Sequence, residues 1–211
     1  MARSSGPAPR PTVRASETKL SRHLHGAVEL KAGPLEAFKL ARRAFLAGEQ
    51  IDMGAISKAL DVDRATLFRW LGNRDQLITE VIWSFAEPAW RRALDAASGT
   101  GSARVAEVLA RWIEDIAGAE FFRAYLRREP ARALRLLTTS DGLHQQRVLD
   151  IIEELLCSEP DLTFPLPVRD FAYVITRIAE SFLYSDLITG ATPDASKASI
   201  TIGTLLGVEK P

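Results

Sequence analysis

Arg64, Ala65, Thr66, Arg69 and Arg74 lie within one short stretch of chain, and their chemistry is that of nucleic-acid recognition. Arginine offers a planar fork of donors and threonine a hydroxyl, both suited to base edges, while Arg69 and Arg74 can neutralise phosphates. Other chemistries find less support. His23, His25 and His144 have no His-Glu-x-x-His frame, so no metal site is expected. Gly99-Thr100-Gly101-Ser102 is followed by Ala103 and Arg104, which fits neither a phosphate-binding loop nor a nucleophile elbow; it reads as a linker. The paired carboxylates Glu114-Asp115 and Glu153-Glu154 belong to polar helix faces. No catalytic set emerges, so the protein is not expected to be an enzyme or to need a cofactor. Cys157 is the single cysteine, which excludes an internal disulfide and a Cys-cluster zinc site.

The elements that must hold those arginines are helices. Leu35, Phe38, Ala41 and Phe45 recur at helical spacing from Pro34 to a stop at Gly48. A second helix is expected from about residue 53 to Leu60. A third runs from Arg64 to Leu71, capped by Asp63 and ended by Gly72. The three residues Asp61-Val62-Asp63 between the last two are the spacing of a helix-turn-helix. In that motif a buried Val62 would pin the turn, and a small Ala59 would let the helices cross closely. A long helix over 73–97 follows, and Pro88 is expected to kink or break it. After the linker come helical segments at about 103–117, 119–128, 130–138, 141–157, 167–189 and 194–208. No alternating run is long enough for a strand, so the fold expected is all-α. It divides into a flexible arm over 1–33 with a short helix near 17–25, a helix-turn-helix unit over 34–75, and a helical body over 76–211.

Composition agrees with a globular chain: 211 residues, 46% hydrophobic and 26% charged, with zero net charge. The charge is unevenly spread. Residues 1–33 carry six basic against two acidic side chains, a balance of +4, residues 34–98 balance at nine each, and residues 99–211 stand at −4. A basic arm on an acidic body suggests a polyanion at one end. Ala198–Val208, the longest uncharged apolar-rich run, is about half of the ~20 residues a membrane span needs. Arg3, Arg10 and Arg14 without an apolar core do not make a secretory signal. A cytoplasmic location is expected.

Two apolar sets in the second half have competing readings. Trp83, Phe85, Trp90, Trp112, Phe121, Phe122 and Tyr125 either line an effector cavity beside Pro88 or pack as ordinary core. Tyr173, Arg177, Glu180 and Tyr184 form a polar-aromatic stripe on one helix. It reads either as a solvated face or as part of a pocket or dimer seam. The effector-binding set adopted is Trp83, Trp90, Trp112, Phe122, Tyr125, Tyr173, Arg177 and Tyr184. The dimer set is Ile178, Phe182, Ile202, Leu205 and Leu206, facing the small Ala179, Ala195, Ala198 and Gly203.

The wording of residues 53–77 resembles the DNA-binding signature of TetR-family regulators. The resemblance is carried by Ile56, Ala59, Leu60, Val62, Thr66, Leu67, Phe68, Trp70, Leu71, Arg74, Asp75 and Leu77. Tyr125–Pro130 and Arg177–Tyr184 are similar to the QsdR-type branch. The family resemblance implies a homodimeric regulator, most often a repressor, on a double-stranded DNA operator, released by a small-molecule effector, with 34–75 as the DNA-binding domain and 76–211 as the effector-binding and dimerisation domain; the branch implies a lactone related to quorum signals. It extends the DNA-facing set to Arg64, Ala65, Thr66, Phe68, Arg69, Trp70 and Arg74. Asp61 departs from the family's usual glycine and Phe68 from its common tyrosine, which removes a phenol contact to phosphate. A helical protein–protein adaptor and, behind it, a helical enzyme are the alternatives.

Overall fold

The computed structural model describes residues 33–139, 143–159 and 162–208, and every element among them is a helix. The basic arm, His23, His25 and the expected helix near 17–25 lie outside the described residues. The helices are α1 (Pro34–Leu46), α2 (Met53–Ala59), α3 (Arg64–Leu71), α4 (Arg74–Ala96), α5 (Gly101–Gly118), α6 (Glu120–Arg128), α7 (Pro130–Thr138), α8 (Leu143–Cys157), α9 (Val168–Leu183), α10 (Ser185–Ile188) and α11 (Ala195–Leu205).

Local chemistry explains most boundaries. Pro34 and Pro130 occupy first-turn positions, where a missing N–H costs nothing. The Asp52 carboxylate accepts from the N–H groups of Gly54 and Ala55, and Asp63 accepts from that of Thr66. Asn73 and Gln76 cap α4 reciprocally, each side chain accepting from the other's backbone N–H. Gly72 ends α3 at φ 69°, and a Cβ there would collide with the Gln76 side chain that completes this cap. Two expectations change. The break expected at Pro88 does not occur: helix α4 continues through it, with Ala86, Ala89 and Trp90 buried around that turn. The segment 167–189 is two helices, parted at Tyr184, after which the Ser185 hydroxyl donates to backbone carbonyls.

One apolar core runs through the described residues. Helix α1 packs on α3, α4 and α6, so it belongs to both halves of the chain. Helices α5 and α9 both pack on α11, and α8 lies along α9. Trp90 and Trp112 meet edge to face at 5.1 Å, with the Trp112 indole N–H donating to the Ala86 carbonyl at 3.1 Å.

Candidate DNA-binding face and effector cavity

Helices α2 and α3 cross as a helix-turn-helix. Asp61 takes the left-handed conformation at the turn, φ 50°, which aspartate tolerates. The turn is held by buried Ser57, whose hydroxyl donates to the Val62 carbonyl at 2.6 Å. Val62 is half-buried, and Ala59 is exposed rather than at the crossing; the small residue buried there is Ser57. Leu67 carries α3 into the core, leaving Arg64, Ala65, Phe68 and Arg69 exposed. Thr66 is tied to its own helix: it donates to Asp63 at 2.9 Å and accepts from Arg69 at 3.3 Å. Trp70 is half-buried against the core.

Arg74 corrects the expectation of a free phosphate contact. Its guanidinium donates to both Glu129 oxygens, at 2.6 and 2.7 Å, and its Nε to the Ile51 carbonyl at 2.6 Å. The two side chains are only 19% and 13% exposed. Fork-to-fork pairing uses the very donors that a phosphate would need. The contact is one part of a larger network. Asp75 accepts from Arg132 and Arg135, Arg132 also pairs with Glu129, and Arg128 donates to the Gly48 carbonyl. Burial raises the Asp75 carboxyl, but hydrogen bonds from Arg135 and Arg132 outweigh it and hold the group below its ordinary range. Hydrogen bonds from Arg74 likewise hold the Glu129 carboxyl low. Three joints of the helix-turn-helix region are thereby fastened to the α6–α7 corner: the end of α1, the approach to α2 and the start of α4.

A cavity of about 520 Å³ opens between α1, α4, α5, α6, α8 and α9, within the range of small-molecule sites. Much of its wall is apolar, built from Ile82, Leu109, Ile113, Val148, Ile175 and Leu183 together with the rings of Phe85, Trp112 and Phe122. The polar groups fall into two sets. Arg42, Ser84, Arg92, Glu114 and Asp115 form one; His144, Thr176 and Glu180, from α8 and α9, and Tyr184 at the end of α9 form the other. Arg42 and Phe45 come from α1, so the helix that packs on α3 supplies part of the wall. Arg42 donates to the Ser84 hydroxyl at 3.2 Å and sits 4.1 Å from the Phe85 ring centre.

Of the expected effector residues, Trp112, Phe122 and Tyr184 reach this wall. The other five do not. Trp90 backs Trp112 from behind, and Tyr125 packs against Phe45 at 5.4 Å with its hydroxyl unpartnered. Trp83 faces His144 and Arg147. Tyr173 is 50% exposed, with the Arg177 guanidinium over its ring, and Arg177 is spent on Gln145 and Glu180. Helical periodicity identifies a buried stripe but not the neighbour it meets. His144, Glu180, Arg42 and Phe45 are among the cavity residues that the effector set leaves out. Of these, Glu180 alone is signalled, by its place in the polar-aromatic stripe and by the QsdR-like wording around it.

The expected dimer set divides in the same way. Ile202 is 1% and Leu206 8% exposed; both are consumed by the chain's own core and cannot meet a partner. Leu205 is exposed and Ile178 and Phe182 are half-buried, joined on α11 by exposed Ile200. Among the described residues no group of three or more His, Cys, Asp or Glu could hold a metal ion, and no helix is long and apolar enough to cross a membrane.

Comparison with known proteins agrees with this geometry. Residues 100–207 match the family model described as a tetracyclin repressor-like C-terminal domain. A solved structure, that of the R. erythropolis transcriptional repressor QsdR from the TetR family, superposes with a TM-score of 0.75 at 30% sequence identity. The match covers 84% of this chain and 96% of that one. A search of curated proteins found no match.

Proposed function

Because the chain belongs to the TetR family of transcriptional regulators, we propose that it is a dimeric repressor that leaves its operator when a small, mostly apolar effector enters the cavity. Members of this family regulate transcription and are not enzymes. The observation that carries the reading is the double duty of α1, which packs on the recognition helix α3 and also lines the cavity through Arg42 and Phe45. Residues 34–75 act as the DNA-binding unit and 76–211 as the effector and dimer domain. Arg64, Ala65, Phe68 and Arg69 face the major groove. Leu205, Ile178 and Phe182 contribute to the two-fold seam, which sets the two recognition helices ~34–36 Å apart. Effector binding favours a conformation in which that spacing is lost, a shift in population coupled through α1 and the Arg74–Glu129 network.

The effector class follows from the lining. A charged ligand would lose its hydration among Ile, Leu and Phe side chains, so a neutral one is favoured. The effector implied by the QsdR-like resemblance, a lactone related to quorum signals, fits that requirement: a compact carbonyl on an apolar chain. A regulator that acts on DNA in this way works in the cytoplasm. The test is a gel shift of the full chain on its own upstream region, with and without a panel of alkyl and acyl lactones. Retarded DNA released by at least one lactone supports the reading. DNA bound equally with every lactone leaves the regulator and removes the lactone.

A further inference from the structure

The α8–α9 end of the cavity is unequally supplied with donors and acceptors. Glu180 is fixed there from behind: Gln145 Nε2 donates to Oε1 at 2.5 Å, and Arg177 pairs with Oε2 at 2.8 Å. Gln145 and Arg177 are themselves locked, Gln145 by the Leu137 carbonyl and Arg177 by Gln145 Oε1 at 2.6 Å. A carboxylate oxygen accepts two hydrogen bonds, so each oxygen of Glu180, a residue of the cavity wall, keeps capacity to accept one more. His144 is 8% exposed, and its Nδ1 finds no hydrogen-bond partner. Tyr184, 4% exposed and one helical turn beyond Glu180, brings a phenol hydroxyl to the same wall. Thr176 adds nothing, because its hydroxyl donates to the Ala172 carbonyl at 2.8 Å. Burial and the nearby Arg147 push His144 down to about 4, so at neutral pH it is an uncharged ring with one donor and one acceptor nitrogen.

We propose that the Glu180–Tyr184–His144 end of the cavity selects a ligand that carries a hydrogen-bond donor, a hydroxyl or secondary-amide N–H, beside its carbonyl on an otherwise apolar chain. This rests on the effector reading above and sharpens it. A plain alkyl lactone has acceptors only. It can take the Tyr184 hydroxyl, yet it leaves the Glu180 carboxylate facing it with nothing to accept. Sites built around a buried polar group discriminate strongly against analogues that leave it unpaired, because the desolvation cost is then uncompensated. A ligand with a donor and an acceptor satisfies Glu180 and Tyr184 together.

The test uses the full-length protein and two matched sets of γ-lactones of equal chain length: plain alkyl lactones, and lactones bearing an α-hydroxyl or α-acylamino group. Affinity is read by calorimetry and by release of operator DNA at about pH 8, above the value of about 7 to which burial raises Glu180, so that the carboxylate predominates. The donor-bearing set should bind at least about tenfold more tightly, the size of one satisfied hydrogen bond to a charged group. Glu180→Gln keeps the shape but can donate, so it should strengthen the plain lactones, weaken the others and close the gap. Tyr184→Phe should weaken both sets and keep the gap. Ala179→Trp, which fills the cavity, should abolish binding of both. Equal wild-type affinity for the two sets, lost in Ala179→Trp, would overturn this inference and leave the cavity reading intact. So would an unchanged gap in Glu180→Gln. Binding of neither set, or binding unaffected by Ala179→Trp, would overturn the cavity reading and this inference with it.

Discussion

Removing one partner of the Arg74–Glu129 pair separates a structural strut from a phosphate contact. The pair is bidentate, at 2.6 and 2.7 Å, and the side chains are 19% and 13% exposed. Exposed pairs contribute ~0–1 kcal/mol, whereas deleting one member of a buried pair costs ~3–5 kcal/mol. This degree of burial lies nearer the second case, so Glu129→Ala should cost about 2–3 kcal/mol. In a chain of this size that is a fall in Tm of roughly 5–10 °C. Arg74→Ala should cost a similar amount, since it also empties the Ile51 carbonyl of its donor. The double variant should be no worse than the poorer single one, the mark of coupled residues. Operator binding supplies the second axis. An arginine clamped to Glu129 releases no counterion from DNA, so the salt slope of Arg74→Ala should match wild type. A phosphate-binding Arg74 would flatten it by about one contact. Thermal melts of the four proteins and operator titrations across a salt series decide the matter. An Arg74→Ala variant with unchanged Tm and a salt slope lowered by one would refute the strut.

Three further outcomes are expected. Arg64→Ala should weaken specific operator binding by ~1–3 kcal/mol if the side chain reads a base edge, and equal affinity in gel shifts would remove it from the recognition set. Leu205→Asp, on the exposed side of α11, should give monomers in sedimentation and abolish operator binding, whereas an intact dimer would move the seam elsewhere. Burial pushes the Glu180 carboxyl up to about 7 from 4.5 and His144 down to about 4 from 6.5. The folded chain therefore keeps a proton on Glu180 that the unfolded chain has lost, and stability falls as pH rises from 4.5 through about 7. It lacks a proton on His144 that the unfolded chain holds, and stability falls as pH drops from 6.5 towards 4. Each effect is of order 3 kcal/mol, and they oppose one another. Wild-type Tm should be nearly flat from about pH 5 to 6.5, rising in Glu180→Gln and falling in His144→Gln; coincident profiles would refute the assignment.

The helices and the helix-turn-helix were legible because each carries its own punctuation. Asp63 before Arg64, Gly72 after Leu71 and Pro130 after Glu129 mark ends by local chemistry alone. The break at Tyr184 has no glycine or proline to announce it and depends on the Ser185 hydroxyl reaching carbonyls across the turn. The site was legible only in part. Trp112 and Trp90 look alike in a periodic pattern, yet one borders the cavity and the other stands behind it. Glu180 belongs to a stripe that suits solvent equally well until Gln145, 35 residues away, closes over it. Arg74 resembles a phosphate ligand until Glu129, 55 residues on, takes its donors. Such pairings join distant parts of the chain, and no spacing within one helix reveals them.

The shared duty of α1 constrains how this protein can acquire new ligand preferences. Phe45, 1% exposed, touches Phe85, Phe121 and Tyr125 as well as the cavity. Truncating it would cost ~3–5 kcal/mol and loosen the seat of the recognition helix at the same time. Val148, Ile175 and Ala179 line the wall on α8 and α9, away from that seat. Diversification should therefore proceed asymmetrically. A library randomised at the α8–α9 wall should yield variants with altered inducers and an unaltered operator. One randomised at Arg42 and Phe45 should yield mainly proteins that neither repress nor respond.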